Sequence, residues 1–338
     1  MKICICGGGA LGHVCAGIFA SQQDVELSVL SGHPDSWGDS IMVTDGDGRR
    51  FVAKISYVSS NPEEVIVGQD IILLCLPGYM IESTLRLIKP FVGDAAVGSV
   101  VSSTGFFFFA HDVLGTCAKL FGFQRVPFIS RVVKYGQTAN LLGYKSRLEV
   151  VLENIENRES FRKELERLFI TPIILLDSFY EVALSNSNPI LHTGRLYTMF
   201  NGRENEVFDH NILFYKEWTD EASQLLINMD AEFFLLLDKL RIRKLPTLLE
   251  YYGCTDASSL TSKISFIPAF QTITSPMKQV NGGWVIDFGS RYFTEDFPFG
   301  LKWIKALSHE QGIITPMIDM VYDWGMKRVQ FVGEAFDF

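Results

Sequence analysis

Three hydrophobic patterns follow one another along the chain. Residues 1–6 form a short apolar run, residues 25–30 follow as a second strand after a helix-length gap, and residues 70–77 and 96–101 are continuous apolar runs. Unbroken runs of this kind suit parallel strands covered on both faces. Residues 41–44 and 51–55 flank Asp45-Gly46-Asp47-Gly48, which predicts a hairpin. Residues 125–131, 147–152 and 172–176 read as further strands, and residues 159–169 as a charged amphipathic helix. From Ser178 the period turns helical, most clearly over residues 217–243, where Leu225, Leu226, Met229, Phe233, Leu236 and Leu240 share one side. Two domains are therefore predicted, residues 1–177 and residues 178–338. With no repeat or low-complexity linker between them, they are expected to pack across a cleft.

The first apolar run enters a glycine-rich turn, with Gly7, Gly9 and Gly12 spaced as G-x-G-x-x-G ahead of a helix-like stretch. The first glycine allows a tight turn, the second lets backbone approach a pyrophosphate, and the third lets helix pack on strand. The phosphates then meet the free N–H groups of the helix. The βαβ spacing of roughly 30 residues supports a dinucleotide site in an N-terminal Rossmann domain with a doubly wound, mostly parallel sheet. By the switch-point rule, Leu76 and Pro77, together with Ser103 in the turn of residues 102–105, should line the nicotinamide side. A carboxylate at the end of the second strand would bind the ribose hydroxyls of NAD; here that place holds Ser31, Gly32 and His33. Nothing repels a 2′-phosphate, and Ser31 and His33 can donate to one, so NADP(H) is expected in preference to NAD(H). Arginine, the usual phosphate partner, is missing at this place, with Arg49 or Arg50 of the hairpin as helpers.

Composition removes several alternatives. Lysine plus arginine number 30 against 39 aspartate plus glutamate, a formal net charge of −9 without a basic run, so nucleic acid is not an expected partner. The most apolar stretch, residues 95–110, is interrupted by Ser102-Ser103-Thr104-Gly105 and is shorter than the roughly 20 residues a bilayer needs, so no membrane span is expected. Six scattered cysteines fit a reducing cytoplasm. Six histidines without paired ligand spacing argue against a metal, and Asp45 and Asp47 lack the later ligands of a calcium loop. The apolar C-terminal stretch, residues 331–338, would be covered by the chain's own core or by a second copy, which leaves a homodimer open.

Chemistry in the second domain rests on two polar segments. In the first, Pro189 suits a helix start, Asn188 its cap, and His192 then falls one turn in, on the same side as Asn188. The second is Arg291-Tyr292-Phe293-Thr294-Glu295-Asp296, ending before Pro298. A carboxylate beside an imidazole orients the ring and stabilises its protonated form, as general acid–base work requires. Asn186-x-Asn188-Pro189-x-x-His192 and Arg291-Tyr292-x-x-Glu295-Asp296-x-Pro298-x-Gly300-Leu301 resemble the opine dehydrogenases, the octopine and nopaline dehydrogenase family. The segments 214–218, 229–232, 126–131 and 312–319 are similar to that family as well, so the resemblance covers most of the chain.

The resemblance implies an all-helical C-terminal domain of the 6-phosphogluconate-dehydrogenase superfamily type, closing with the Rossmann domain on NAD(P)H, an α-keto acid and the amino group of an amino acid. It implies His192 as the acid/base, Asp296 as its partner, and Arg291 reaching the pyrophosphate. Asn186, Asn188 and Arg131 are candidate anchors for substrate. Phe128 stands where the family usually has Tyr, and Ser130 where it has a small residue or Cys, so the second substrate stays open. The expected reaction is reductive condensation through an imine. One rival is a ketopantoate-reductase-like or other 2-hydroxy-acid dehydrogenase; such enzymes rely on a lysine, and none accompanies residues 188–192. The other is a non-catalytic dinucleotide sensor.

Overall fold

The computed structural model describes residues 1–330, so the C-terminal stretch 331–338 singled out above lies outside the described residues. Two compact units divide after Ser185, eight residues beyond the boundary expected from composition. The short helix that follows the last strand belongs to the first unit because it is tied there. Gln124 Nε2 donates to the Glu181 carbonyl at 2.9 Å, Arg125 donates to the Ser185 carbonyl at 3.0 Å, and Phe179 packs on Phe107 and Phe108.

The first unit runs β1 (Lys2–Cys6), α1 (Ala10–Ala20), β2 (Glu26–Leu30), β3 (Ser40–Asp45), β4 (Arg50–Lys54), β5 (Tyr57–Ser59), α2 (Pro62–Ile66), β6 (Ile71–Leu74) and α3 (Gly78–Ile88). It continues with β7 (Ala96–Ser99), α4 (Phe106–Leu114), β8 (Leu120–Phe123), β9 (Phe128–Lys134), β10 (Thr138–Tyr144), β11 (Leu148–Glu153), α5 (Arg158–Phe169), β12 (Ile173–Leu175) and α6 (Tyr180–Ala183). Eight strands form the main sheet in the order β12-β11-β8-β7-β6-β1-β2-β5, parallel except where β11 meets β8. The order reverses around β1, with β6 on one side and β2 on the other, so a crevice opens beyond the C-terminal ends of these strands.

A second sheet, β4-β3-β10-β9, was only half visible in the sequence. The β3–β4 hairpin forms as expected, with Val43 opposite Phe51, and β10 then pairs with β3 in parallel. In place of the strand expected at residues 125–131, β9 starts after Pro127, whose missing N–H keeps it out of the ladder. This sheet lies against α1, which is buried from Gly12 to Phe19 because the main sheet covers its other side. A helix that is apolar all round is what such a position requires.

The second unit carries α7 (Asn188–Phe200), α8 (Asp220–Lys239), α9 (Leu248–Tyr252) and α10 (Ala257–Ser265). One antiparallel hairpin follows, β13 (Met277–Val280) with β14 (Gly283–Ile286), then α11 (Arg291–Thr294), a π-helical turn at Phe297–Leu301, α12 (Lys302–Glu310) and α13 (Pro316–Met326). Two isolated antiparallel bridges, Phe208 with Trp284 and Leu213 with Thr274, accompany that hairpin, and the rest of the unit's regular structure among the described residues is helical. The π turn packs on the start of α7 at Gly300, where a Cβ would lie 2.9 Å from Pro189 Cβ, so the segment bearing Asp296 can approach the helix bearing His192. No helix among the described residues is long and apolar enough to cross a membrane.

Candidate active site

His192 lies on α7 and Asp296 just ahead of the π turn, 104 positions later, and the fold brings them together: His192 Nδ1 is 2.8 Å from Asp296 Oδ2. The other ring nitrogen, Nε2, is 3.0 Å from the hydroxyl of Tyr215. A carboxylate only accepts, so Nδ1 carries the proton and donates to Asp296; neutral Nε2 then offers a lone pair, and Tyr215 donates to it. Burial, with Tyr292, Tyr252 and Asp296 around it, holds the Tyr215 phenol well above its ordinary value, which keeps it a donor. Both members of the pair are largely shielded, with side-chain exposures of 12% and 15%.

Aromatic rings fix this arrangement. Tyr215 stacks on Phe270 at 4.5 Å between centroids and lies parallel to Trp218, while Tyr292 sits 4.7 Å from the His192 ring. Arg195, one turn after His192 and almost fully buried, donates to the carbonyls of Phe214 (3.2 Å) and Glu217 (2.6 Å). It thereby ties the segment bearing Tyr215 to the helix bearing His192. Burial lowers its guanidinium to about 10, still charged at neutral pH. In the sequence, residues 214–218 stand out only as a segment similar to the family, and nothing there assigns Tyr215 a role; its signal is an aromatic cluster beside a polar residue.

The remaining residues expected here are placed as follows. The helix begins at Asn188, but the side chain that turns the backbone into it belongs to Asn186, whose Oδ1 accepts from the Asn188 N–H at 3.2 Å; the expected Asn188 cap is corrected accordingly. Asn188 is exposed. Arg291 opens α11 and is exposed. Arg131 belongs to the first unit, exposed on β9, with its guanidinium donating to the Ser130 carbonyl.

In the first unit a cleft of about 290 Å³ is lined by Gly7, Gly8 and Gly9, by Ser31, Gly32 and His33, by Leu76 and Pro77, and by Tyr135. Ser103, in the turn after β7, is not among its lining residues. Three observations fit the cleft to a dinucleotide. The helix α1 starts at Gly9 without a side-chain cap or an acid in its first turn, so its first N–H groups stay available to a phosphate. The space over Gly9 is open for 4 Å around, and a Cβ on Gly12 would collide with the Gly7 carbonyl, so only glycine lets helix and turn meet. Among the described residues no carboxylate lines the cleft. Ser31, expected to donate outward, is instead buried and bonded to Trp37, His33 and Tyr135, and the Arg49 guanidinium rests on the Phe51 ring at 4.6 Å. The His33 side chain is exposed and lines the cleft.

Beneath the glycine turn lies His13, fully buried in α1. Its Nε2 accepts from the Gly136 N–H at 2.7 Å, Nδ1 is left to donate to the Gly9 carbonyl at 3.0 Å, and the ring stacks on Trp37 at 4.5 Å. Burial pulls its imidazole below the ordinary value, against smaller opposing effects of the Gly9 and Gly8 backbone. Below about pH 6.5 the unfolded chain takes up a proton at this residue that the folded chain refuses, so stability falls as pH drops through that range toward the lowered folded value. Thermal unfolding should therefore show a smaller loss between neutral and acid pH in His13→Gln than in the wild type. Parallel curves for the two proteins would contradict this.

Residues 175–328 match the family described as NAD/NADP octopine/nopaline dehydrogenase, alpha-helical domain. Octopine dehydrogenase of Mizuhopecten yessoensis is 25% identical over 361 residues, covering 97% of this chain and 90% of that protein. The solved octopine dehydrogenase with NADH and L-arginine superimposes with a TM-score of 0.85 at 25% identity, over 97% of this chain and 89% of the other. Over nearly its whole length the chain is similar to the opine dehydrogenases. Tauropine dehydrogenase of Arabella iricolor, 26% identical over 98% of this chain and 93% of its own, is similar too. An α/β unit with a glycine-turn cleft precedes the helical unit that matches this family, and the imidazole–carboxylate pair lies inside the latter.

Proposed function

We propose that this protein is an opine dehydrogenase, which condenses an α-keto acid with the amino group of an amino acid and reduces the resulting imine at the expense of NAD(P)H. The amine and the keto carbonyl lose water to form a C=N bond; a hydride adds to its carbon and a proton to its nitrogen, leaving an N-(carboxyalkyl) amino acid and oxidised cofactor. The observation that carries this reading is the buried His192–Asp296 pair with Tyr215 on the far ring nitrogen. When bound, the nicotinamide supplies the hydride.

The chain's own residues manage the protons. His192 Nε2 carries the one basic lone pair of the ring; once the Tyr215 hydroxyl turns away from it, Nε2 takes a proton from the incoming ammonium and returns one to the departing carbinolamine hydroxyl. Asp296 stabilises the imidazolium that exists in between. Tyr215 suits both states, donating to Nε2 when the ring is neutral and accepting from it when the ring is protonated. The start of α7 lies just before His192, and Asn186 and Asn188 there are the proposed anchors for substrate polar groups, with Arg131 for a carboxylate and Arg291 for the cofactor pyrophosphate. In the cleft, Gly7, Gly9 and Gly12 would hold the pyrophosphate, and Leu76, Pro77 and Ser103 would stand toward the nicotinamide.

Between the two cofactors we infer NADP(H), supported by a cleft without a carboxylate and by the exposed His33. Six free cysteines among the described residues support a cytoplasmic setting. A pairwise screen of keto acids and amino acids with NADPH and NADH tests the reading: oxidation of the cofactor is expected only when both organic substrates are present. Oxidation with keto acid alone would instead indicate a 2-hydroxy-acid dehydrogenase, and binding without turnover on any pair a sensor.

A further inference from the structure

The corner of the cleft where β2 ends is wired in one direction. Two groups that can only donate, the Trp37 indole N–H at 3.1 Å and the His33 backbone N–H at 3.2 Å, both point at Ser31 Oγ. They occupy both of its lone pairs. The Ser31 proton is then left for its third neighbour, the Tyr135 hydroxyl at 3.3 Å. Tyr135 oxygen therefore receives, and its own proton is free to go to an acceptor on the cleft side.

The ring is held in place edge-on to His13 (5.0 Å) and Trp37 (5.9 Å), and its hydroxyl passes so close over Gly8 that a Cβ there would collide with it. Tyr135 comes from the turn between β9 and β10, in the second sheet, and that turn is anchored by the bond from Gly136 N–H to His13. A carboxylate at this corner would accept from ribose hydroxyls; here the last member of the chain donates, and a donor calls for an oxygen-rich acceptor.

We propose that Tyr135 reads the 2′ position of the cofactor's adenosine ribose by donating its phenolic proton to a 2′-phosphate oxygen, with Trp37 and Ser31 as positioning residues. The assignment rests on the NADP(H) reading given above. It gives the phosphate a partner that neither Ser31 nor Arg49 supplies in this fold.

The test is calorimetric titration of the full chain with 2′,5′-ADP and with 5′-AMP, in the wild type and in Tyr135→Phe. A hydrogen bond to a charged group carries enough free energy that the variant should lose about tenfold or more in affinity for 2′,5′-ADP and stay within about twofold for 5′-AMP. A ratio of the two affinities unchanged by the substitution overturns the assignment, and so does an equal loss for both ligands, which would mean that the ring only shapes the cleft. A wild type that favours 5′-AMP sinks the NADP(H) reading itself, while the movement of the ratio still judges Tyr135 separately. Ser31→Ala serves as the second variant should Tyr135→Phe fail to fold: a selective loss for 2′,5′-ADP supports the chain of donors, and no selective loss overturns it.

Discussion

Replacing His192 by Ala should lower turnover of the condensation by about 10² to 10⁴-fold, the range for a lost general acid–base. The ring nitrogen Nε2 is the basic atom of the constellation, and Tyr215, held protonated by burial, cannot take over as a base. Binding of the cofactor should survive, because every residue lining the nucleotide cleft lies in the other unit. Initial rates with saturating substrates, alongside a nucleotide titration, check both halves. A variant within about threefold of the wild type would remove His192 from the proton path.

The second large effect is expected from Asp296→Asn. The amide can turn its NH₂ toward Nδ1, which makes that nitrogen an acceptor and moves the ring proton to Nε2. Nε2 then has no lone pair with which to take a proton, and its N–H donates to Tyr215 instead. In serine proteases the same change of carboxylate to amide costs about 10⁴-fold for this reason; here a loss of roughly 10² or more in kcat is expected, with KM values and the unfolding temperature little altered. A fall in stability that accounts for the lost rate would show that Asp296 only supports the π turn.

How far the sequence revealed this arrangement depended on the range of the interactions involved. The main sheet followed from apolar runs and the glycine turn, since both are local, and the His192–Asp296 pair was reached through two short segments whose chemistry made sense only together. The second sheet was hidden because β9 and β10 join β3 across about a hundred residues, and Pro127 moved the start of β9. His13 had one local trace, a polar residue inside the apolar run of α1, and its purpose became visible only with Gly136 and Trp37 around it. Tyr135 gave no trace, since an aromatic residue ahead of a turn glycine says nothing about which cleft the turn overhangs. Ser31 was located correctly at the end of β2, yet its hydroxyl is spent on neighbours that pairing patterns do not disclose.

In the proposed reaction hydride is delivered to an imine carbon. The most direct measurement runs the reaction with NADPH bearing deuterium at the transferable C4 position, an α-keto acid and an amino acid, and weighs the products by mass spectrometry. The expected product is a secondary amine with one deuterium on the carbon that was the keto carbonyl. Deuterium found in a 2-hydroxy acid, with no labelled secondary amine, would contradict it.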